Sequence, residues 1–186
     1  MITRLGIFTA LACVLAFATP ASAGWCYGNN GASFRAQDSS AGCSSGEDYF
    51  STTPTTSQLQ AVFTAYNAAV AAQQAQQTYA AALVAGLTIT STNTPALNGT
   101  YAIDPQTQTN ITAEQVYIAT RSTFTNGQST KAWPDKAGAF HKFPSTAAFT
   151  AFAVAVAQYI DVLNTALETA QQGGNPSWPS TSVLIP

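Results

Sequence analysis

The chain has 186 residues, of which 8% are charged, whereas an average soluble protein carries about 25% charged residues. Six basic and eight acidic residues give a formal net charge of −2 at pH 7. This composition excludes nucleic acid as an expected partner, because phosphate binding requires clustered lysine and arginine side chains.

Residues 1–23 have the organisation of a secretory signal peptide. Arg4 precedes an apolar run over residues 5–17, and residues 21–23 offer the small side chains that signal peptidase accepts. The run is shorter than the roughly 20 helical residues that a bilayer requires. We therefore expect cleavage before Gly24 and a secreted or periplasmic protein.

Cleavage would also remove Cys13 and leave two cysteines, Cys26 and Cys43, in a chain of formal net charge −3. An oxidising compartment favours a disulfide between them. Residues 24–52 are rich in glycine, asparagine and serine, and we interpret them as a loop segment restrained mainly by that disulfide. The disulfide would enclose residues 27–42, and closing a loop of that size is worth about 3 kcal/mol in the chain-entropy model. A redox pair is disfavoured, because it usually has Cys-x-x-Cys spacing.

A long helix is predicted over residues 57–85, with threonine and serine before it as N-caps and Gly86 as its stop. Its apolar positions recur at spacings of four and three. They are Leu59, Phe63, Tyr66, Val70, Ala80 and Val84. Gln73 and Gln77 interrupt this stripe. This stripe is compatible with packing against the protein's own core and with self-association of the helix.

The middle of the chain is predicted to contain two strands and a shorter helix. Residues 87–90 and 99–103 have strand composition and flank a turn-forming segment. Asp104 and Pro105 then mark a helix start, because aspartate caps free amides and proline is tolerated at the first helical position. We expect this helix to end near Thr120.

A hairpin and a final helix follow. Residues 129–133 and 139–143 are predicted strands around a turn that contains proline and glycine. Ser145 or Thr146 is expected to cap the last helix. Gly173 is expected to end this helix. The apolar stripe of the helix comprises Phe149, Phe152, Val156, Ile160, Leu163 and Leu167.

Together these elements predict an α+β fold. A long N-terminal helix would be followed by a ββαββα unit, with a small antiparallel sheet packed on the helices. The predicted domain spans residues 53–173, and residues 174–186 form an extended tail with flanking prolines. We expect no segment after residue 23 to span a membrane.

Several motifs in the second half of the chain are specific in wording: LTITST from residue 87, TPALNGTYAID from residue 94, WPD from residue 133 and GAFHKFPS from residue 138. With these motifs, residues 87–163 resemble a domain of unknown function found in bacteriophage and prophage proteins, often tail-associated. The resemblance implies a phage or prophage setting without a mechanism. Because tail parts assemble in the cytoplasm, an exported copy would be an accessory or adhesive relative.

Catalysis is not predicted. His141 is the single histidine, and Asp135 and Ser145 lie near it in sequence, which invites comparison with a Ser-His-Asp triad. We expect Asp135 in a turn, Ser145 as a helix cap and His141 as an ordinary hairpin residue. No G-x-S-x-G elbow is present, and nothing in the sequence supplies both a base-orienting partner and an oxyanion hole. A small secreted hydrolase that uses His141 with an acidic residue is an alternative. The sequence also predicts no metal site and no cofactor.

Two other acidic residues carry structural expectations. Glu114 is predicted to face solvent on its helix. Asp161 follows Ile160 at the edge of the apolar stripe, where a carboxylate needs a partner such as Arg121. We therefore expect a structural ion pair for Asp161, with Arg121 as a candidate partner.

Aromatic residues outside the predicted helices offer a candidate binding surface. Trp25, Tyr27 and Trp178 are its expected members, and their partner would be an unidentified protein or a surface glycan. Phe34 shares the first loop with two of them, whereas Trp133 is expected to pack within the hairpin. We therefore expect an exported, non-catalytic structural or interaction protein, with a carbohydrate-binding module as a further alternative.

Overall fold

The computed structural model describes residues 24–31 and 34–186, so the predicted signal peptide lies outside the described residues. Within those two ranges the chain forms three α-helices and three small sheets, which confirms the α+β class. The chain divides into two compact units, one ending at Tyr66 and the other beginning at Asn67.

The first unit contains a three-stranded antiparallel sheet of β1 (Gly24–Gly28), β2 (Phe34–Gln37) and β3 (Glu47–Phe50), in the order β2-β1-β3. The sequence interpretation of residues 24–52 as a loop missed these strands. Each has only four or five residues, and polar turns separate them, so no long apolar alternation marks the sheet. The predicted disulfide between Cys26 and Cys43 is present.

The long helix α1 spans Thr56–Ala85, as predicted, and local hydrogen bonds define its ends. Thr55 and Gln58 form a capping box. The Gln58 amide donates to the Thr55 hydroxyl at 3.3 Å, and the Gln58 side-chain oxygen accepts from the Thr55 amide at 2.9 Å. Gly86 ends the helix with a φ of +85°, a conformation that side chains disfavour.

The last turns of α1 pack against the core of the second unit through Tyr79, Ala82 and Leu83. The sequence pattern predicted Ala80 and Val84 instead, and both are exposed. A strict spacing of four and three repeats every 3.5 residues, whereas an α-helix has 3.6 residues per turn, so the buried stripe drifts by about 20° per heptad. Self-association through residues 57–85 stays a prediction.

After α1, the second unit continues with an antiparallel pair, β4 (Leu87–Ser91) and β5 (Gly99–Tyr101), followed by α2 (Pro105–Arg121). The Asp104 carboxylate caps α2 and accepts hydrogen bonds from two amides of the first turn, at 3.0 and 3.1 Å. The capping signal in the sequence therefore predicted the start of this helix correctly.

The hairpin of β6 (Lys131–Pro134) and β7 (Phe140–Phe143) forms a sheet of its own. It leads into α3 (Thr146–Gln171). The Ser145 hydroxyl caps α3 by accepting from the Ala148 amide at 3.2 Å, as predicted.

The C-terminal tail returns to the first sheet of this unit. Its strand β8 (Ser182–Ile185) pairs in parallel with β4, which gives the order β5-β4-β8. The Ser91 hydroxyl donates to the Pro186 carbonyl at 2.9 Å and so holds the last residue. The predicted single antiparallel sheet is thus a mixed sheet and a separate hairpin, because a short strand with a distant partner carries no local pairing signal.

Helix α3 is the centre of the core, and nine of its residues are buried: Phe149, Phe152, Ala153, Ala155, Val156, Tyr159, Leu163, Ala166 and Ala170. By length and composition it is also the one helix among the described residues that is long and apolar enough to cross a membrane. The sequence analysis did not expect such a segment. In the structure, its apolar stripe is used for packing against the sheet and the hairpin.

Glu114 is buried, so the prediction that it faces solvent was wrong. Its carboxylate accepts hydrogen bonds from Lys131 Nζ, from the Thr125 amide at 2.9 Å and from the Thr125 hydroxyl at 2.8 Å. Burial raises the pKa of Glu114, but these hydrogen bonds outweigh burial and hold the pKa below its ordinary value. The partners follow Glu114 by 11 and 17 residues, beyond the reach of a helical pattern.

Replacing Lys131 by methionine should destabilise the protein by about 3 kcal/mol, because Glu114 would keep a buried charge without its cation. The contribution of Glu114 is present above its unfolded pKa and is lost as pH falls through its lowered folded pKa. Urea unfolding should therefore show a smaller difference between variant and wild type in acid than at pH 7. Lys142→Met, at an exposed position of β7, is the matched control, and equal losses in the two variants would contradict the prediction.

Candidate binding surface

The N-terminal sheet has two different faces. Successive side chains of a strand point to opposite sides, so Trp25 and Tyr27 share one side of β1. Phe34 is paired with Tyr27, and Phe50 is paired with Trp25. Directly paired residues lie on the same side of an antiparallel sheet. The four rings therefore form one patch, called the aromatic face below: Trp25, Tyr27, Phe34 and Phe50.

The rings of the aromatic face contact one another. Tyr27 and Phe34 are stacked, with centroids 5.5 Å apart and an interplanar angle of 17°. Trp25 lies 6.1 Å from Phe34, and Phe50 meets Tyr27 edge-on at 5.9 Å. Phe34 is 58% exposed and the other three rings are half-buried. A cluster of partly exposed rings on a small sheet is a candidate contact surface.

The opposite face of the same sheet carries its cross-links. Cys26 and Cys43 form a disulfide with their Cα atoms 5.5 Å apart. Arg35 pairs with Glu47 at 2.8 Å and donates to the Gly42 carbonyl at 2.6 Å. The hydrogen bond from Arg35 lowers the pKa of Glu47. Glu47 lies near both sulfur atoms, but a disulfide offers no thiolate to a metal ion.

One carboxylate lies on the aromatic face. Asp48 is paired with Tyr27 and is exposed. Arg35 is paired with Cys26, so its guanidinium belongs to the opposite face. Among the described residues of the three strands, the aromatic face thus combines four rings with one carboxylate and has no cation.

The structure brings together only part of the surface predicted from the sequence. Trp25 and Tyr27 lie side by side on the aromatic face, whereas Trp178 is partly buried against the core of the second unit. Sequence reasoning missed Phe50 and Asp48, because both join the face through strand pairing. The alternation of Trp25, Cys26 and Tyr27 was the local signal that could have indicated a strand here.

His141 has two hydrogen-bond partners, which orient its ring. Its Nδ1 lies 2.8 Å from the Ala96 carbonyl oxygen, and its Nε2 lies 3.2 Å from Asp135 Oδ2. The hydrogen bond to Ala96 raises the pKa of His141, burial opposes this effect, and the Asp135 carboxylate adds to it. In turn, the hydrogen bond from His141 lowers the pKa of Asp135.

This arrangement differs from that of a catalytic triad. In a triad the carboxylate orients Nδ1, and Nε2 faces the nucleophile. In this protein Nε2 faces Asp135, and Nδ1 is engaged by a carbonyl of another segment. Ser145 is used as the cap of α3. The geometry therefore supports a structural role for His141, which ties the hairpin to the turn at Pro95–Leu97.

Asp161 and Arg121 are both exposed, and the predicted ion pair between them is not among those formed by the described residues. A carboxylate that stays hydrated needs no buried partner. Asp161 instead lies on the rim of a cleft of about 290 Å³ between α2 and α3. The cleft floor is largely aliphatic, with Ile111, Val156 and Ile160.

Comparisons of the chain with protein-family models, with curated proteins and with solved structures find no match. The resemblance of residues 87–163 to a phage tail-associated domain stays a prediction from the sequence. Function is therefore inferred from the surfaces described above, because a fold class alone does not indicate one.

Replacing His141 by leucine should cost the most stability near pH 5. The contribution of His141 is fully present below its ordinary pKa of 6.5 and is lost as pH rises through its raised folded pKa. The contribution of Asp135 is present above its ordinary pKa of 3.8 and is lost as pH falls through its lowered pKa.

Thermal unfolding of wild type and His141→Leu at pH 3, 5 and 9 measures this dependence. Lys142→Leu, an exposed change on the same strand, should show a difference that varies little with pH. A difference between wild type and His141→Leu that grows from pH 5 to pH 9 would contradict a charged pair of His141 and Asp135.

Proposed function

We propose that this chain is an exported, non-catalytic interaction protein that binds its partner through the aromatic face. The observation that carries the proposal is the placement of four rings on one side of a cross-linked sheet, with Phe34 mostly exposed. Exposed aromatic residues contribute strongly to binding, because they bury a large area at a low cost in side-chain entropy.

Export is supported by two independent features. Residues 1–23 have the pattern of a cleavable signal peptide. The disulfide between Cys26 and Cys43 is compatible with an oxidising compartment, where such bonds persist. The motifs in residues 87–163 support a phage or prophage origin, so the protein would be an accessory component of a cell surface or envelope.

The alternative of a secreted hydrolase is less well supported. A general base needs an imidazole nitrogen that can take a proton from the nucleophile or from water. Both nitrogens of His141 are engaged by Ala96 and Asp135. Phe34 contacts Tyr27 and Trp25 but stays 58% exposed, which favours a binding role.

The exported protein should begin at Gly24. Its intact mass should correspond to residues 24–186 less the two hydrogens lost in disulfide formation. Replacing Ala23 by phenylalanine should block processing, because signal peptidase requires a small residue before the cleaved bond. A secreted wild-type protein whose mass still includes residues 1–23 would contradict the prediction.

Replacing Phe34 by alanine should weaken binding to envelope fragments of the exporting cell about tenfold, the order expected for the loss of one exposed ring. Co-sedimentation of the secreted protein with washed fragments measures the affinity. Phe140→Ala is the matched control, because Phe140 is 73% exposed on β7 of the second unit. Equal affinities of wild type and Phe34→Ala would count against the aromatic face as the binding surface.

A further inference from the structure

We infer that the ligand of the aromatic face is a neutral polysaccharide chain. This inference rests on the proposed binding function and names its ligand class. Three properties of the face lead to it: the free ring surface of Phe34, the small area of the sheet and the one carboxylate beside the rings.

The ring arrangement suits stacking against sugars. Phe34 contacts both Trp25 and Tyr27 and is nevertheless 58% exposed, so much of its ring is free. The face of an aromatic ring carries negative charge density. A pyranose with equatorial hydroxyl groups presents C–H groups, which are weakly positive, on the flat sides of its ring. The two flat surfaces therefore attract each other without any charged group.

The size of the face favours a narrow ligand over a protein. Strands of four or five residues are about 14 to 17 Å long, and three strands are about 14 Å across, which gives the face roughly 200 Å². A stable protein interface buries about 800 Å² on each partner. A short stretch of a polysaccharide chain can be bound on an area of this size.

The charges of the face favour a neutral ligand with hydroxyl groups. Asp48, which is paired with Tyr27 and exposed, can accept hydrogen bonds from sugar hydroxyls, since an ionised carboxylate only accepts. Arg35 is bound to Glu47 on the opposite side, so no cation of these strands is offered to a phosphate or an acidic chain.

The cross-links behind the rings complete the site. The disulfide of Cys26 and the ion pair of Arg35 with Glu47 join the segments that carry β1, β2 and β3. A sheet that is held in this way loses little freedom when a ligand binds, and preorganisation of this kind increases affinity.

The test uses the secreted protein with an array of glycans that includes the hexasaccharides of chitin and cellulose. Wild type should bind a neutral glycan, and Phe34→Ala should bind it about tenfold more weakly. Phe34→Tyr keeps a ring and should bind like wild type, as should the control Phe140→Ala. Asp48→Asn should weaken binding less than Phe34→Ala, because an amide oxygen still accepts a hydrogen bond.

Binding to envelope fragments digested with protease distinguishes a failure of the glycan ligand from a failure of the proposed function. Binding that survives digestion and depends on Phe34 supports a glycan ligand. Binding that is lost on digestion, with no binding to the array, overturns the glycan ligand and leaves the proposed function intact. Absence of binding to undigested fragments overturns the proposed function itself. Equal binding of glycans by wild type and Phe34→Ala overturns the assignment of the site.

Discussion

The packing of Phe149 and Phe152 on α3 is the contact on which the second unit depends. The ring centroid of Phe149 lies 5.2 Å from that of Trp133 and 5.1 Å from that of Phe143, both on the hairpin. The ring centroid of Phe152 lies 4.8 Å from that of Tyr101 on β5. The mixed sheet and the hairpin are not paired with each other. Helix α3 packs against both, and direct contacts also join them, such as the hydrogen bond from the Lys136 amide to the Thr100 carbonyl at 2.8 Å.

The first unit is stabilised differently, and the proposed binding surface depends on that difference. A sheet of three short strands buries too little apolar surface to be stable by packing alone. The disulfide of Cys26 and the ion pair of Arg35 with Glu47 supply restraint from one side. Because the sheet is cross-linked there, the rings on its other side are not all consumed by a core, and Phe34 stays available to a ligand.

Two charged pairs in the second unit have structural consequences. Glu114 with Lys131 links α2 to the start of the hairpin, and His141 with Asp135 holds the hairpin turn beside the Ala96 carbonyl. The second pair also bears on function. An imidazole with both nitrogens bound is poorly suited to act as a base, so the residue that most invited a catalytic interpretation contributes to the fold.

The sequence by itself determined the features that depend on neighbouring residues. Asp104, Ser145 and Gly86 begin or end helices through contacts within about one turn, and the α+β class and the cysteine pair followed from similarly direct signals. Only the tertiary structure decided the parallel pairing of β8, the burial of Glu114 and the membership of Phe50 in the aromatic face. Each of these depends on residues that are distant in the chain, and such pairing leaves no mark in local composition.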